Sequence, residues 1–590
     1  MNWYIWGVII LLPLIIPLAI FIQKRVNSQK TLKRAGPSLF TAVFVGVFLS
    51  IALLCASFHV GDAGFIGGGA EILKVALVAI FNTLCTFTMN MDYAFVTESA
   101  QCIEGALHSL YVIYAALMFV LAPLLTFSVV LSFFKNISAY FKYIKHFNWD
   151  VYVFSELNEK SLSIAKSAKN KKIVFVFADV YNDDDEKTSE LIQRARELDG
   201  ICFKKDVLDI NLNIHNKDKN ITFFLIGEDE SENVEQTLIL SSTYENRPNT
   251  KIYTFSIDIE SELLLSTMGN ENLKMYRVNE IRSRINRMLY LDGKKLFDNA
   301  KELENGKKII SAVIVGMGRF GTEMTKTLAW FCQMEGYEIE ITCIDANPEI
   351  ESLFSARYPE LVDKKFSGDN VPFGESKYKI DFISCNVESS DFVSAIKKLK
   401  NTTYVLVALG NDRDNINCAV YLRQLTQQMG IEPQIQAFVF DTKKKNALKD
   451  IKIYSGTPYD IEFIGDIEST YSDDVIINSE LEKIALGRHL KWGEEGDFWK
   501  YEYNYRSSIA SAMHKKLKSD LGVPGTDKLP EERTEEELML IRVLEHKRWN
   551  AYMRSEGYCF GETRNNLAKL HPCLVPFNDL SLKEQLKDDD

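Results

Sequence analysis

Val313-Ile314-Val315-Gly316-Met317-Gly318-Arg319-Phe320-Gly321 is the stretch on which the reading of this 590-residue chain turns. An apolar strand runs into Gly-x-Gly-x-x-Gly, and an amphipathic helical pattern follows. In that arrangement the first glycine allows a tight turn. The second lets the backbone approach a pyrophosphate, and the third lets helix and strand pack closely. The helix N-terminus then presents unpaired N–H groups to phosphate. Asp345 closes the next apolar strand, 24 residues after Gly321, where a carboxylate can accept from ribose hydroxyls. A lone glycine pattern is a weak signal. Strand, helix and acidic residue together point to nucleotide binding here.

Working outward, short apolar strands alternate with amphipathic helices from residue 148 onward, a pattern that predicts parallel sheets with crossover helices. The pattern occurs twice. The first copy places strands at 151–154, 173–177, 221–226 and 251–255, and the second at 312–315, 339–344, 403–409 and 435–440. The third strand of each ends alike, as Leu225-Ile-Gly227-Glu-Asp229 with Asn233 and as Leu409-Gly410-Asn411-Asp412 with Asn415. In the first copy Ser155-Glu156-Leu157-Asn158-Glu159 stands where the glycines would be. Glu156 and Glu159 would repel a pyrophosphate, so this copy is read as having lost dinucleotide binding and serving assembly.

Toward the N-terminus the chain becomes strongly apolar. Segments 3–22, 39–57 and 110–134 are long enough to span a bilayer. The first is followed by Lys24 and Arg25 and reads as a retained helix, not a cleaved leader. Basic residues at 24–34 and 135–145 place both stretches on the cytoplasmic side, whereas 90–107 carries Asp92, Glu98 and Glu104 and no Lys or Arg. An even number of crossings between those points makes 72–89 a re-entrant segment lining a cavity. The expectation is a two-helix pore unit with one extra helix in front. Thr86, Thr88, Asn90 and Asp92 are its candidate pore residues, and Pro123 is a candidate hinge. The stretch Cys85-Thr-Phe-Thr-Met-Asn-Met-Asp92 resembles the layout of a potassium-channel pore loop, but Met89 and Met91 replace the filter glycines. A net charge of −12 argues against a nucleic-acid duplex as partner. Ten cysteines without a Cys-x-x-Cys pair give no zinc or disulfide framework.

On the residues 313–321, the region 148–490 resembles the RCK or TrkA-type domains that regulate prokaryotic potassium channels and transporters. The resemblance implies a degenerate Rossmann-like domain at 148–300 and a second at 308–490. It also implies a ring of these domains on a tetramer, and a ligand such as NAD, ADP or ATP. By position Arg319 would contact phosphate, and Asn386 stands where the family often carries Asp near the adenine. Phe320, Gly410 and Asp412 complete the candidate set. Residues 491–590 resemble the prokaryotic ryanodine-receptor repeat through the ordered His546-x-Arg548-Trp549, Tyr552, Gly557-Tyr558, Arg564-Asn565, Lys569-x-His571-Pro572 and Val575-Pro-Phe577. That family can bind adenine nucleotides and accompanies nucleotide second-messenger systems, including anti-phage ones. His546, Arg548, Trp549, Tyr552, Tyr558, Arg564, Asn565 and His571 are the ligand residues it implies.

The expected fold is therefore an α-helical membrane domain at 1–147, two α/β Rossmann-like domains, and a small, mostly α-helical C-terminal domain. The expected function is a nucleotide-gated, multi-pass inner-membrane ion channel, a homotetramer with its C-terminal domains cytoplasmic. Its partners would be the bilayer, a permeant ion such as potassium, and a cyclic or oligonucleotide second messenger, NAD or ATP/ADP. Alternatives are an anchored nucleotide sensor without a pore and an NAD-dependent enzyme. The second is disfavoured because there is no separate substrate domain and no Ser/His/Asp or Cys/His set stands out near the glycine loop.

Overall fold

The central strands are apolar on both faces, as a sheet covered by helices on each side requires. The computed structural model describes the chain from Ala139 to Asp589 apart from short gaps, chiefly within 181–185, 258–272 and 450–457, and only scattered residues before Ala139. The first sheet comprises β1 (Asp150–Phe154), β2 (Ile173–Phe177), β3 (Ile201–Cys202), β4 (Ile221–Leu225), β5 (Thr250–Phe255) and β6 (Leu273–Val278). Its order is β3-β2-β1-β4-β5-β6, and every pairing is parallel. Helices α1 (Glu159–Ala168), α2 (Glu186–Glu197) and α3 (Glu230–Tyr244) belong to its crossovers. The helix α4 (Glu280–Asp292), capped by the Asn279 side chain, leads to the second sheet.

The second sheet repeats the plan with β8 (Lys308–Val315), β9 (Tyr337–Asp345), β10 (Lys379–Ser384), β11 (Tyr404–Val407), β12 (Gln434–Phe438) and β13 (Ile461–Ile464). Its order is β10-β9-β8-β11-β12-β13, with the short β7 (Lys301–Glu302) antiparallel to β8. Helices α5 (Arg319–Phe331), α6 (Ile350–Arg357), α7 (Ser390–Lys398) and α8 (Asp412–Gln428) are its crossovers. Both sheets thus follow the doubly wound order, in which the strand order reverses beside the first strand while the strands stay parallel. Ligands of such sheets bind outside the carboxyl ends at that reversal.

The same asparagine pins the reversal in each copy. Asn233 accepts from Gly227 N at 2.8 Å and donates to Phe255 O at 3.0 Å. Asn415 accepts from Leu409 N at 2.6 Å and donates to Phe438 O at 3.0 Å.

The C-terminal helices α9 (Glu480–His489), α10 (Glu502–Asp520) and α11 (Glu535–Ser555) do not form a core of their own. Ile509, Met513, Leu544, Tyr552 and Met553 are buried in one cluster with Met324, Leu328, Trp330 and Phe331 of α5. Each such fully buried side chain contributes about 1.5–3 kcal/mol. Helix α11 starts in a capping box in which Thr534 accepts from Glu537 N and Glu537 accepts from Thr534 N.

The N-terminal expectation is corrected. Among the described residues no helix is long and apolar enough to cross a membrane. The fold they form is α/β with parallel sheets, not an α-helical membrane domain. The longest described helices, α10 and α11, carry charged side chains along their whole length, including Arg506, Lys515, Arg542, Glu545 and Arg554, so none offers the roughly 20 apolar residues a span needs. The transmembrane channel and the multi-pass inner-membrane localisation drawn from that domain are withdrawn with it. Segments 3–22, 39–57, 72–89 and 110–134 lie almost entirely outside the described residues. So do Thr86 and Asp92, while Thr88 and Asn90 are exposed.

Candidate functional site

The β8–α5 turn is built by side chains that are absent. Gly316 holds φ at +94°, a backbone region costly for side-chained residues, and a Cβ there would overlap the Ala408 carbonyl. A Cβ on Gly321 would overlap the Gly316 carbonyl, so the third glycine is what lets α5 start against β8. Gly318 is the N-cap of α5 and has open space around it, as the position facing a ligand needs.

Around this turn the structure gathers most of the first candidate set. Asp345 reaches back to accept from Met317 N at 2.7 Å through one oxygen and from Asn347 N at 2.8 Å through the other. It therefore fixes the turn while keeping lone pairs for a further donor. Asn386 follows β10, the neighbour of β9, and is exposed. Its Oδ1 accepts from Glu388 N at 2.9 Å. Gly410, with φ at +95°, follows β11. Gly316, Gly318, Asp345, Asn386 and Gly410 thus share the carboxyl edge of the second sheet.

The other three members have other tasks. Asp412 accepts from Phe440 N at 2.8 Å and Asp441 N at 3.2 Å, closing the end of β12. Phe320 packs on Phe438 with ring centroids 3.6 Å apart. Arg319 points across to the first copy, with Nη1 3.3 Å from Glu230 Oε1. Glu230 in turn accepts from Ile257 N at 2.7 Å, beyond the end of β5. Nothing in the sequence marked Glu230, because its partner is 89 residues away.

The first copy fills the corresponding space with its own side chains. Ser155 Oγ accepts from Ile226 N at 3.0 Å, Glu156 Oε2 accepts from Glu228 N at 3.2 Å, and Asn158 donates to Ile226 O at 2.9 Å. Burial raises the Glu156 carboxyl above its ordinary range, with the Glu228 N–H acting the other way.

The C-terminal candidates do not converge. His546 and Trp549 share one face of α11 with His571, the Trp549 ring lying 6.0 Å from His546 and 4.9 Å from His571. His546 Nε2 is 2.8 Å from Val575 O, so this group anchors the last segment of the chain. Arg548 is buried against Glu545 at 2.6 Å. Tyr552 faces Trp330 of α5, and Tyr558 lies 6.4 Å from Tyr503. Arg564 and Asn565 are exposed. The His571 imidazole, pressed by burial and by Arg564, titrates down at about 4.

A further arginine of α11, whose guanidinium could with those of Arg548 and Arg564 be read as a phosphate partner, instead joins that helix to the segment between α6 and β10. Arg554, 1% exposed, donates to Glu375, Ser376 and Glu360.

No protein-family profile matches the chain, and no curated protein matches it.

Proposed function

We propose that residues 148–590 form a nucleotide-responsive regulatory module. In this reading an adenine nucleotide or dinucleotide lies over the Gly316–Gly321 turn, with its phosphates at the N-terminus of α5 and a ribose hydroxyl near Asp345. The observation that carries it is the turn itself: two glycines that no side chain could replace, in a doubly wound sheet at its strand-order reversal. Occupancy would be felt by the C-terminal helices because α5 and α11 share a core. A ligand shifts such an equilibrium only by its differential affinity for the two states.

The test is equilibrium binding of NAD, ADP, ATP and a cyclic dinucleotide to the full chain, with Gly318→Glu as control. Saturable binding of one of them that is lost in Gly318→Glu is expected. Binding by none, or equal binding by the variant, overturns the reading.

A further inference from the structure

A cavity of about 130 Å³ opens where β5, β6, α4, α5 and the C-terminal helices meet, away from the glycine turn. That is close to the roughly 150 Å³ at which a protein cavity accepts benzene. Tyr253, Tyr276, Trp499 and Trp330 form its aromatic wall. Tyr276 lies 4.7 Å from Tyr253 and 4.8 Å from Trp499 between ring centroids, which gives a ring-shaped ligand both faces and edges to pack on.

The opposite wall is ionic. Arg277 donates to Glu502 at 2.7 and 2.5 Å, Arg282 Nε donates to Glu323 at 2.8 Å, and Arg506 lies 3.0 Å from Glu556. Lys326, 3.0 Å from Glu323, is one cation beyond these three pairs. Glu482 also lines the cavity and accepts from Tyr505 Oη at 2.5 Å; burial pushes its carboxyl up to about 7.

Tyr552 Oη, on a side chain 3% exposed, has no hydrogen-bond acceptor among the described residues, and Arg282 Nη1 makes no hydrogen bond, its carboxylate neighbour Glu502 Oε1 lying 3.9 Å away. A buried donor left unmade costs about 1–3 kcal/mol, so both call for an acceptor atom in the cavity.

We propose that this cavity binds a small monoanion carrying an aromatic ring, with its oxyanion on Tyr552 Oη and Arg282 Nη1 and its ring among Tyr253, Tyr276 and Trp499. A phosphoester dianion fits poorly, because Glu323, Glu502 and Glu556 surround the same space and the arginines are already engaged. An ammonium would bring donors to a wall whose unmet need is for acceptors. The site draws on the first sheet, on α5 of the second copy and on α11, so its occupant would tie the halves of the module together. It stands independently of nucleotide binding at Gly316–Gly321.

The test is fluorine NMR of the purified full chain at pH 7.5, where the phosphate ester is a dianion, with para-fluorobenzoate, para-fluorophenyl phosphate and para-fluorobenzylamine as probes. Saturable broadening of the benzoate signal is expected, with the phosphate ester and the amine at least tenfold weaker. Tyr552→Phe should weaken benzoate binding at least tenfold while leaving the thermal midpoint close to wild type. Arg282→Met should abolish it, but that change also strands Glu323, so the tyrosine variant is the deciding one. No saturable benzoate binding, a phosphate ester bound as well as benzoate, or unchanged binding in Tyr552→Phe overturns the proposal.

Discussion

Replacing Arg554 tests whether the C-terminal helices are locked to the second sheet by charge. Its guanidinium donates to both Glu375 oxygens, at 2.9 and 3.2 Å, to Ser376 Oγ at 2.7 Å and to Glu360 Oε2 at 3.2 Å. It also lies over the Phe366 ring at 3.8 Å from the centroid. Glu375 is 5% exposed, and its remaining donors are Asn550 Nδ2 at 3.0 Å, Ser376 N at 2.8 Å and Ser376 Oγ at 3.1 Å, all neutral. Arg554→Met keeps the apolar stem and strands the carboxylate. Stranding one partner of a buried ion pair costs about 3–5 kcal/mol.

A chain of several parts does not unfold in one step, so the assay is amide hydrogen exchange in α11 and in residues 360–378, which reads the local opening free energy. Both segments should lose protection together. Adding Glu375→Gln to Arg554→Met should recover about 1–3 kcal/mol, because the stranded charge is gone. The pH dependence gives a second check. Burial alone would raise the Glu375 carboxyl, but Arg554 outweighs it and holds the group below its ordinary range. In wild type that contribution is present above the ordinary carboxylate range and fades as pH falls through the depressed value. Without Arg554 the sign reverses, so the deficit of the variant should shrink as the solution is acidified. A loss below about 1 kcal/mol, or strict additivity of the two changes, would refute the argument.

Three further outcomes follow from single contacts. Gly321→Ala sets a Cβ on the Gly316 carbonyl, so α5 must shift away from β8; nucleotide binding should be lost and the thermal midpoint lowered, and a fully active variant would contradict the turn geometry. Asn415→Ala and Asn233→Ala each leave a buried strand-end carbonyl and an N–H unmade, for a loss of about 2–4 kcal/mol apiece in the local opening free energy read by hydrogen exchange in β12 and β5, and a near-neutral result in both would contradict their pinning role. Glu482→Gln addresses pH: burial lifts this carboxyl to about 7 from an ordinary value near 4.5, so its contribution is fullest in acid and is lost as pH rises through 7. The variant should match wild type below pH 4 and exceed it by roughly 3 kcal/mol at most at pH 8, and an equal difference at both pH values would contradict the assignment.

What the sequence made legible was whatever depends on near neighbours. Strands such as Val151–Val153 and Ala312–Val315 are short apolar runs because both faces of each sheet are covered, and their positions could be read directly. The edge strands were missed for the matching reason. Strand β3 has two residues, β6 interrupts its apolar pattern with Lys274 and Arg277, and β13 carries Glu462, since an edge has less to bury. The glycine turn was legible because its demand is local, steric and spaced by residue number. The C-terminal ligand set was not. On α11 the helical period puts His546 with Trp549 but turns Arg548 and Tyr552 elsewhere, and the partners that occupy Arg554 are 178–194 residues away. Hydropathy at the N-terminus was read as a membrane domain, yet among the described residues no helix meets the length and apolarity that such a domain requires.

On the proposed reading, magnitudes decide where a nucleotide could act. At the N-terminus of α5 the contact to the first sheet is Arg319 with Glu230, and Arg319 is 62% exposed. Such a pair contributes about 0–1 kcal/mol, so a phosphate competing for Arg319 has little to overcome. One turn further on, Glu323 is held by Arg282 at 2.8 Å and Lys326 at 3.0 Å, both within the interior cluster that includes Glu556 of the C-terminal region. Breaking one partner there costs several kcal/mol. A ligand at the turn can therefore displace Arg319 from Glu230 of α3 while α5 stays fastened to α4 and the C-terminal helices, to which Arg277 of the first sheet is also tied through Glu502. The first copy's own turn is already filled by Ser155 and Glu156 and so does not compete for the ligand.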